Sequence, residues 1–117
     1  MEVADVLKHT DLFEQKMELS GFLKGGTKHL GPVCYLLPNA KSDDIPANRV
    51  LLDHDGLLKM LFGKVPRWGG DKPNYMDSAK VYGLLQPSDS PDGAMKLTHL
   101  SVLVLFRVKD RYQVIPK

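Results

Sequence analysis

The stretch RVLLDHDGLLKMLFGKV, Arg49 to Val65, changes its hydrophobic period partway along, and this change decides the fold. Its first five residues, Arg49–Asp53, form a short apolar run that predicts a strand. Over Gly56–Phe62 the leucines and a methionine recur at helical spacing instead, which predicts one short helix. A strand is thus followed directly by a helix in the middle of the chain.

Both ends of this helix carry residues that commonly start or stop helices. Asp53 or Asp55 is expected to cap its start, because a carboxylate accepts hydrogen bonds from the free amide groups of the first turn. Gly63 is expected to end it in the left-handed conformation, which glycine adopts without steric cost.

On either side of this stretch, apolar and polar residues alternate with the period of two that half-buried strands show. The predicted elements, in chain order, are a helix over Val3–Phe13, a strand over Lys16–Gly25, a hairpin loop over Gly25–Gly31, strands over Pro32–Pro38 and Arg49–Asp53, the helix over Gly56–Phe62, and strands over Ser78–Pro87, Leu97–Val108 and Arg111–Pro116.

Between the first helix and the tail strand, the order of elements is three strands, a helix and two strands. This is the order of the OB-fold, a small five-stranded Greek-key barrel. A ferredoxin-like sandwich would need a helix between its first two strands, and GGTKHLG is too short and too rich in glycine to form one. Gly21 falls inside the first predicted strand, where glycine indicates a bulge or a sharp bend. Gly21 and Gly83 both suit strands that must bend sharply to close a barrel. We therefore predict a mainly β chain with short helices, folded as one OB-like barrel domain over residues 1–117.

The segment VADVLKHTDLFEQKMELSGFL resembles the opening of many small bacterial OB-fold domains, and SAKVYGLLQ resembles their fourth strand. The positions that carry the resemblance are Val6, Leu7, Phe13, Lys16, Met17, Leu19, Gly21, Val81 and Gly83. Gln15 stands where many of these domains have a glycine. The resemblance implies the fold and the binding of single-stranded nucleic acids, oligosaccharides or proteins on one face of the barrel. It implies no catalytic residues.

The composition restricts the location and the chemistry of the protein. Its net charge of +2 comes from 16 basic and 14 acidic residues, a balance too even to indicate a nucleic-acid binder without a local patch. A single cysteine, Cys34, excludes an internal disulfide and is expected to be buried as a small hydrophobic residue. The N-terminus lacks a signal-peptide pattern, and the longest apolar run, Val102–Phe106, is too short for a membrane span. We expect a cytoplasmic protein that does not contact membranes.

Few residues suggest catalysis or metal binding. The four histidines have no metal-ligand spacing. Carboxylates and a histidine are concentrated at Asp43, Asp44, Asp53, His54 and Asp55, where they indicate either a polar loop with a helix cap or, in a small enzyme, a converging site. We favour the loop and expect no enzyme activity, no cofactor and no metal.

The stretch VPRWGGDKPNYMD, Val65–Asp77, contains the only basic and aromatic cluster of the chain. Arg67, Trp68, Lys72 and Tyr75 combine cations with flat rings, the chemistry that holds single-stranded nucleic acids. The same loop could instead cap the barrel with its rings, or contact a protein, because Trp, Tyr and Arg dominate protein interfaces.

We expect a binding module without catalysis. The first hypothesis is binding of single-stranded nucleic acid or a related oligomer, and its candidate residues are Lys28, Tyr35, Arg49, Arg67, Trp68 and Lys72. The alternative is a protein-interaction module, such as an accessory or toxin-neutralising (immunity-type) subunit, that uses Trp68, Tyr75 and the acidic loop Asp89–Asp92. A run that is apolar on both faces, Ser101–Val108, is compatible with a homodimer.

Overall fold

The computed structural model describes residues 1–117, and its elements follow the predicted order. The strands are β1 (Lys16–Thr27), β2 (Gly31–Leu37), β3 (Val50–Leu52), β4 (Tyr75–Pro87), β5 (Met95–Phe106) and β6 (Arg111–Val114). The helices are α1 (Val3–Val6) and α2 (Leu57–Lys64), and two short 3-10 turns cover Thr10–Leu12 and Pro46–Asn48. Neither helix has the length and apolar character that a membrane crossing needs.

The strands form a closed five-stranded barrel with one extra strand. Neighbours follow the order β3-β2-β1-β4-β5-β6, and every neighbouring pair in this order is antiparallel. The barrel closes where β3 also pairs with β5, in parallel, from Val50 beside Met95 to Leu52 beside Leu97. The predicted OB-like barrel with short helices is therefore confirmed, and β6 is added at the free side of β5.

Alternation along the strands fills the barrel with apolar side chains. Leu19 and Leu23 of β1 and Val81 and Leu85 of β4 are fully buried, while the residues directly before and after each of them are exposed or half-buried. Both helices add to the same core of 22 buried residues, α1 through two valines and α2 through three leucines. Burying each such side chain stabilises the fold by about 1.5–3 kcal/mol, so the helices close the barrel as well as connect its strands.

Two predicted boundaries shift. The helix predicted over Val3–Phe13 ends at Val6, and Thr10 and Asp11, which are weak helix formers, lie in a 3-10 turn instead. The hairpin loop predicted over Gly25–Gly31 shrinks to three residues, because β1 and β2 both extend into it. The pairing continues past a bulge, in which Gly26, at φ +68°, lies opposite two residues of β2, Pro32 and Val33.

Both predicted ends of α2 are wrong. Neither Asp53 nor Asp55 caps the helix; Gly56, at φ +74°, precedes its first residue and makes no side-chain cap. Gly63 lies inside the helix rather than after it. The helix stops because Val65 precedes a proline, which disfavours the helical conformation, and Val65 is extended.

The two mid-strand glycines serve different purposes. At Gly83, where the sequence predicts a sharp bend, the pairing of β4 with β5 slips by two residues and His99 on the partner strand has φ +50°, so a bulge lies there. The bulge that is one of the two alternatives predicted at Gly21 does not form. Gly21 lies in regular pairing with Ala79. A Cβ atom there would lie 2.6 Å from the Leu37 carbonyl oxygen and 2.7 Å from Val3 Cγ2, so glycine lets α1 approach the barrel.

Replacing Gly83 with alanine should destabilise the barrel. The added Cβ would lie 2.7 Å from the backbone carbonyl oxygen of Thr98, which cannot rotate away. We expect Gly83→Ala to lower the free energy of unfolding by about 1–3 kcal/mol, the usual cost of overpacking. Gly69→Ala is the matched control, because nothing lies within 4 Å of its Cβ position. Urea midpoints measure both variants, and equal midpoints would contradict the close approach.

Candidate functional site

The structure divides the residues predicted to form a site into three groups. Tyr35 and Arg49 lie together in a buried polar network. Tyr75 is fully buried in the core. The remaining candidates are exposed: Lys28, Arg67, Trp68 and Lys72.

The buried network is centred on the carboxylate of Asp44. It accepts hydrogen bonds from Arg49 Nε at 2.8 Å, from the Tyr35 hydroxyl at 2.8 Å and from Lys24 Nζ at 3.2 Å. The Arg49 guanidinium also lies 5.2 Å from the centre of the Tyr35 ring. We call these four residues and His29 the Arg49 network. Arg49 is only 5% exposed, so its charge depends on these partners.

Arg49 joins three segments that are distant in sequence. Its Nη2 donates to the Asp44 backbone carbonyl at 3.0 Å and lies 3.2 Å from His29 Nε2, and its Nη1 donates to the Asp92 carbonyl at 3.3 Å. Because a guanidinium only donates, the contact with His29 is a hydrogen bond when Nε2 is the accepting nitrogen of the ring. The β1–β2 loop and the β4–β5 loop are thereby held against the start of β3.

The β4–β5 loop also packs directly on β3. A Cβ atom at Gly93 would lie 2.5 Å from Leu51 Cγ, so only glycine allows this approach. In OB-folds the ligand usually lies on the face of strands two and three, between these two loops. In this protein the β4–β5 loop and the Arg49 side chain cover part of that face. The polar groups of Tyr35 and Arg49 bind other residues of the protein.

The same contacts shift the pKa values of the network. Burial alone would raise the pKa of Asp44, but hydrogen bonds from Arg49, Tyr35 and Lys24 outweigh it and hold the pKa below its usual range. Burial, reinforced by the hydrogen bond to Asp44, raises the pKa of the Tyr35 hydroxyl. Asp44 is therefore ionised and Tyr35 is neutral at physiological pH.

Tyr75 is part of the core rather than the surface. Its hydroxyl donates to the Val65 carbonyl at 2.8 Å, and its ring stacks on Phe62 with centroids 6.1 Å apart. Burial raises the pKa of Tyr75 to about 12. Tyr75 is therefore a cap at this end of the barrel and not the exposed binding contact that is also predicted for it. Trp68, for which the same cap is predicted, is 40% exposed.

Trp68 lies on the surface beside two cations. The guanidinium of Arg107 is 4.7 Å from its ring centre, and Lys72 Nζ is 5.8 Å away. Arg107 is fixed, because its Nε donates to Asp77 Oδ1 at 2.8 Å and its Nη2 donates to the Pro66 carbonyl at 2.7 Å. The hydrogen bond to Asp77 also raises the pKa of Arg107. Arg107 was not among the predicted residues, since β5 brings it to the loop from a distant part of the chain.

Two more basic side chains complete this surface. Arg67 lies over the ring of Phe62, with its guanidinium 4.6 Å from the ring centre. Lys28 Nζ is 3.6 Å from Asp71, and both of these side chains are exposed. We use the name Trp68 surface for Lys28, Arg67, Trp68, Lys72 and Arg107. Its four cations outnumber its acidic neighbours Asp71 and Asp77, so the surface is locally positive.

A groove of about 900 Å³ runs along α2, and we call it the α2 groove. It lies between α2, the end of β3 and the β4–β5 loop. Its apolar lining includes Val33, Leu51, Leu58 and Phe62, and its polar lining includes Asp53, His54, Asp55, Lys59, Asp89 and Lys96. Concave sites of this size with a mostly apolar lining are the usual places where proteins bind ligands.

The carboxylates predicted as an alternative catalytic set lie at one end of this groove. Asp53 pairs with Lys96 at 3.7 Å, and His54 Nε2 lies 2.9 Å from the carbonyl oxygen of Lys117. No group of three or more His, Cys, Asp or Glu side chains is arranged to hold a metal ion. Cys34 is buried as predicted, and burial raises its pKa to about 12, so the thiol is protonated at physiological pH.

Comparison of the chain with protein-family models, with curated proteins and with solved structures finds no match.

Removing the Asp44 charge should destabilise the protein in a pH-dependent way. Asp44→Asn leaves the buried Arg49 guanidinium without its counter-charge, and we expect a loss of about 2 kcal/mol in unfolding free energy because Asp44 itself is partly exposed. Since the folded pKa of Asp44 lies below its usual 3.8, this contribution is full above that value and disappears as the pH falls through the folded pKa.

Urea unfolding at neutral pH and at several acidic pH values measures both effects. Asp43→Asn is the matched control, because this neighbouring carboxylate is exposed and makes no ion pair. A gap between Asp44→Asn and the parent protein that stays constant into strong acid would show that the ionised carboxylate is not responsible.

Proposed function

We propose that the protein is a cytoplasmic, non-catalytic binding module of the OB-fold superfamily that binds single-stranded nucleic acid through the Trp68 surface. One observation carries this proposal: an exposed tryptophan ring lies beside an arginine that the protein itself holds in place. The closed barrel with its parallel β3–β5 pair supports membership of the superfamily.

The Trp68 surface combines the two interactions that hold single strands. A base that stacks on an aromatic ring contributes about 1–3 kcal/mol, and cations attract the phosphates on either side. Arg107 loses little freedom on binding, because Asp77 and the Pro66 carbonyl already fix it. Lys72 and Lys28 are exposed and make only long contacts, so they are free to turn towards phosphates.

A single strand fits this surface better than a duplex. Trp68 can stack only on a base whose face is not already covered by its neighbours, and in a duplex both faces are covered. The only helix longer than one turn, α2, has eight residues and packs on the barrel through its leucines. It is therefore not presented as a helix that enters a major groove.

A protein partner is the second candidate, because the same residue types dominate protein interfaces. Trp68 and Phe62 expose 40% and 41% of their surfaces, and Arg67 lies on the Phe62 ring. Tryptophan and arginine are the residues most enriched among energetically dominant contacts between proteins. An accessory or immunity-type subunit, or a homodimer, would use this surface without a strong dependence on phosphate charge.

Titration with an oligothymidine of about 12 nucleotides, within the roughly 4–16 nucleotides that an OB-fold contacts, tests the first candidate. We expect saturable quenching of Trp68, which is the only tryptophan and therefore the only source of the signal. With about three phosphates neutralised, the Kd should rise roughly tenfold or more between about 50 and 200 mM salt.

The double variant Arg67→Glu/Lys72→Glu should lose most of the oligothymidine binding. The control variant Lys80→Glu/Lys41→Glu makes the same charge change at exposed lysines outside the Trp68 surface and should retain it. A flat titration of the parent protein, or equal loss in both double variants, would exclude the Trp68 surface as a nucleic-acid site. Saturable binding that ignores salt would also contradict it, since phosphate contacts must weaken as salt rises.

A further inference from the structure

The α2 groove is lined by other residues than the Trp68 surface but adjoins it at Phe62, over which Arg67 lies. The groove begins where β3 leaves β2. Pairing of these strands covers only Cys34–Leu36 on β2. The chain then turns away at Asp53, whose amide donates instead to the Leu97 carbonyl at 2.9 Å. The start of β2, Gly31–Val33, therefore has no strand on its outer side, and because Pro32 has no N–H, a ligand there would be held mainly by its side chains.

The floor of the groove is apolar and accessible. Val33 and Leu51 are half-buried, Leu58 lies beneath them, and Phe62 is 41% exposed at the end nearest Arg67. An apolar floor beside an unpaired strand start suits an extended polypeptide. Alternate side chains of a strand point to opposite sides, so every second residue of such a segment could reach the floor.

The rim of the groove is acidic. Asp53, Asp55 and Asp89 are all exposed, and Asp53 and Asp89 share one lysine, Lys96, at 3.7 and 3.5 Å. Lys96 is largely covered by these contacts, with 18% of its side chain exposed. Lys59 is the other cation in the lining, so negative charge exceeds positive charge along the rim.

This distribution of charge indicates which kind of ligand the α2 groove would bind. Lys96 partly neutralises Asp53 and Asp89, whereas Asp55 makes no ion pair. The remaining negative charge would repel phosphates and attract lysine or arginine side chains. We propose that the α2 groove binds an extended segment of a partner protein in which apolar and basic residues alternate. The apolar residues lie on the floor, and the basic residues reach the acidic rim.

A labelled synthetic peptide of about ten residues, alternating leucine and lysine, is the probe, and its fluorescence anisotropy reports binding. We expect saturable binding, and much weaker binding of a peptide in which glutamate replaces lysine. Asp55→Asn/Asp89→Asn should raise the Kd about fivefold through the loss of two exposed charge contacts. Asp43→Asn/Asp71→Asn removes the same charge outside the groove and should leave the Kd unchanged.

A second pair of variants tests the floor. Val33→Lys places a charge on the apolar floor and should abolish binding, whereas Val108→Lys makes the same change at a fully exposed position outside the groove and should not. Urea midpoints confirm that each variant is folded. Oligothymidine should not compete with the peptide, because the residues that carry the two sites differ.

Each of the following results would overturn the proposal: no saturation at millimolar peptide, equal affinity for the glutamate peptide, or equal loss in the groove and control variants. Competition by oligothymidine together with loss of peptide binding in Arg67→Glu/Lys72→Glu would also overturn it, because the peptide would then occupy the Trp68 surface. Failure of the peptide experiment leaves the nucleic-acid titration unaffected, so the two proposals are tested separately.

Discussion

The closure of the barrel depends on a three-residue strand, and the ion pair between Arg49 and Asp44 holds that strand in place. β3 is the only element that joins β2 to β5, and three residues provide little pairing on their own. Arg49 precedes it directly. Its backbone carbonyl accepts from Ala94 at 2.9 Å, while its side chain binds Asp44, His29 and Asp92. The short strand is thus fixed at its start by contacts from three loops.

Two surfaces of opposite local charge lie around the closed barrel. Because the β4–β5 loop packs on Leu51, it covers the middle of the β2–β3 face. On one side lies the basic and aromatic Trp68 surface, fixed by Arg107 and Asp77. On the other lies the α2 groove with its acidic rim. The two surfaces therefore carry opposite local charge, although the net charge of the chain is only +2.

The sequence predicts the features that depend on neighbours along the chain. The change of period at Arg49–Val65 and the two mid-strand glycines indicate the barrel, and Arg67, Trp68 and Lys72 are found because they share one loop. Features that depend on distant partners are missed. Nothing near Arg107 indicates that β5 carries it to Trp68. The burial of Arg49 follows from Asp44, which a pattern-based analysis assigns to a polar loop.

At the slip beside Gly83, β5 has two residues more than the β4 segment it pairs with. That this number is even decides which way the side chains of β5 point. Because side chains alternate between the faces of a strand, a shift by two returns them to the same face, and Leu97 before the slip and Leu103 after it both point into the core. Deleting one residue near His99 would move the side chains on one side of the bulge to the opposite face of β5. Deleting two residues would only remove the bulge. The bulge should therefore tolerate the insertion or deletion of two residues but not of one.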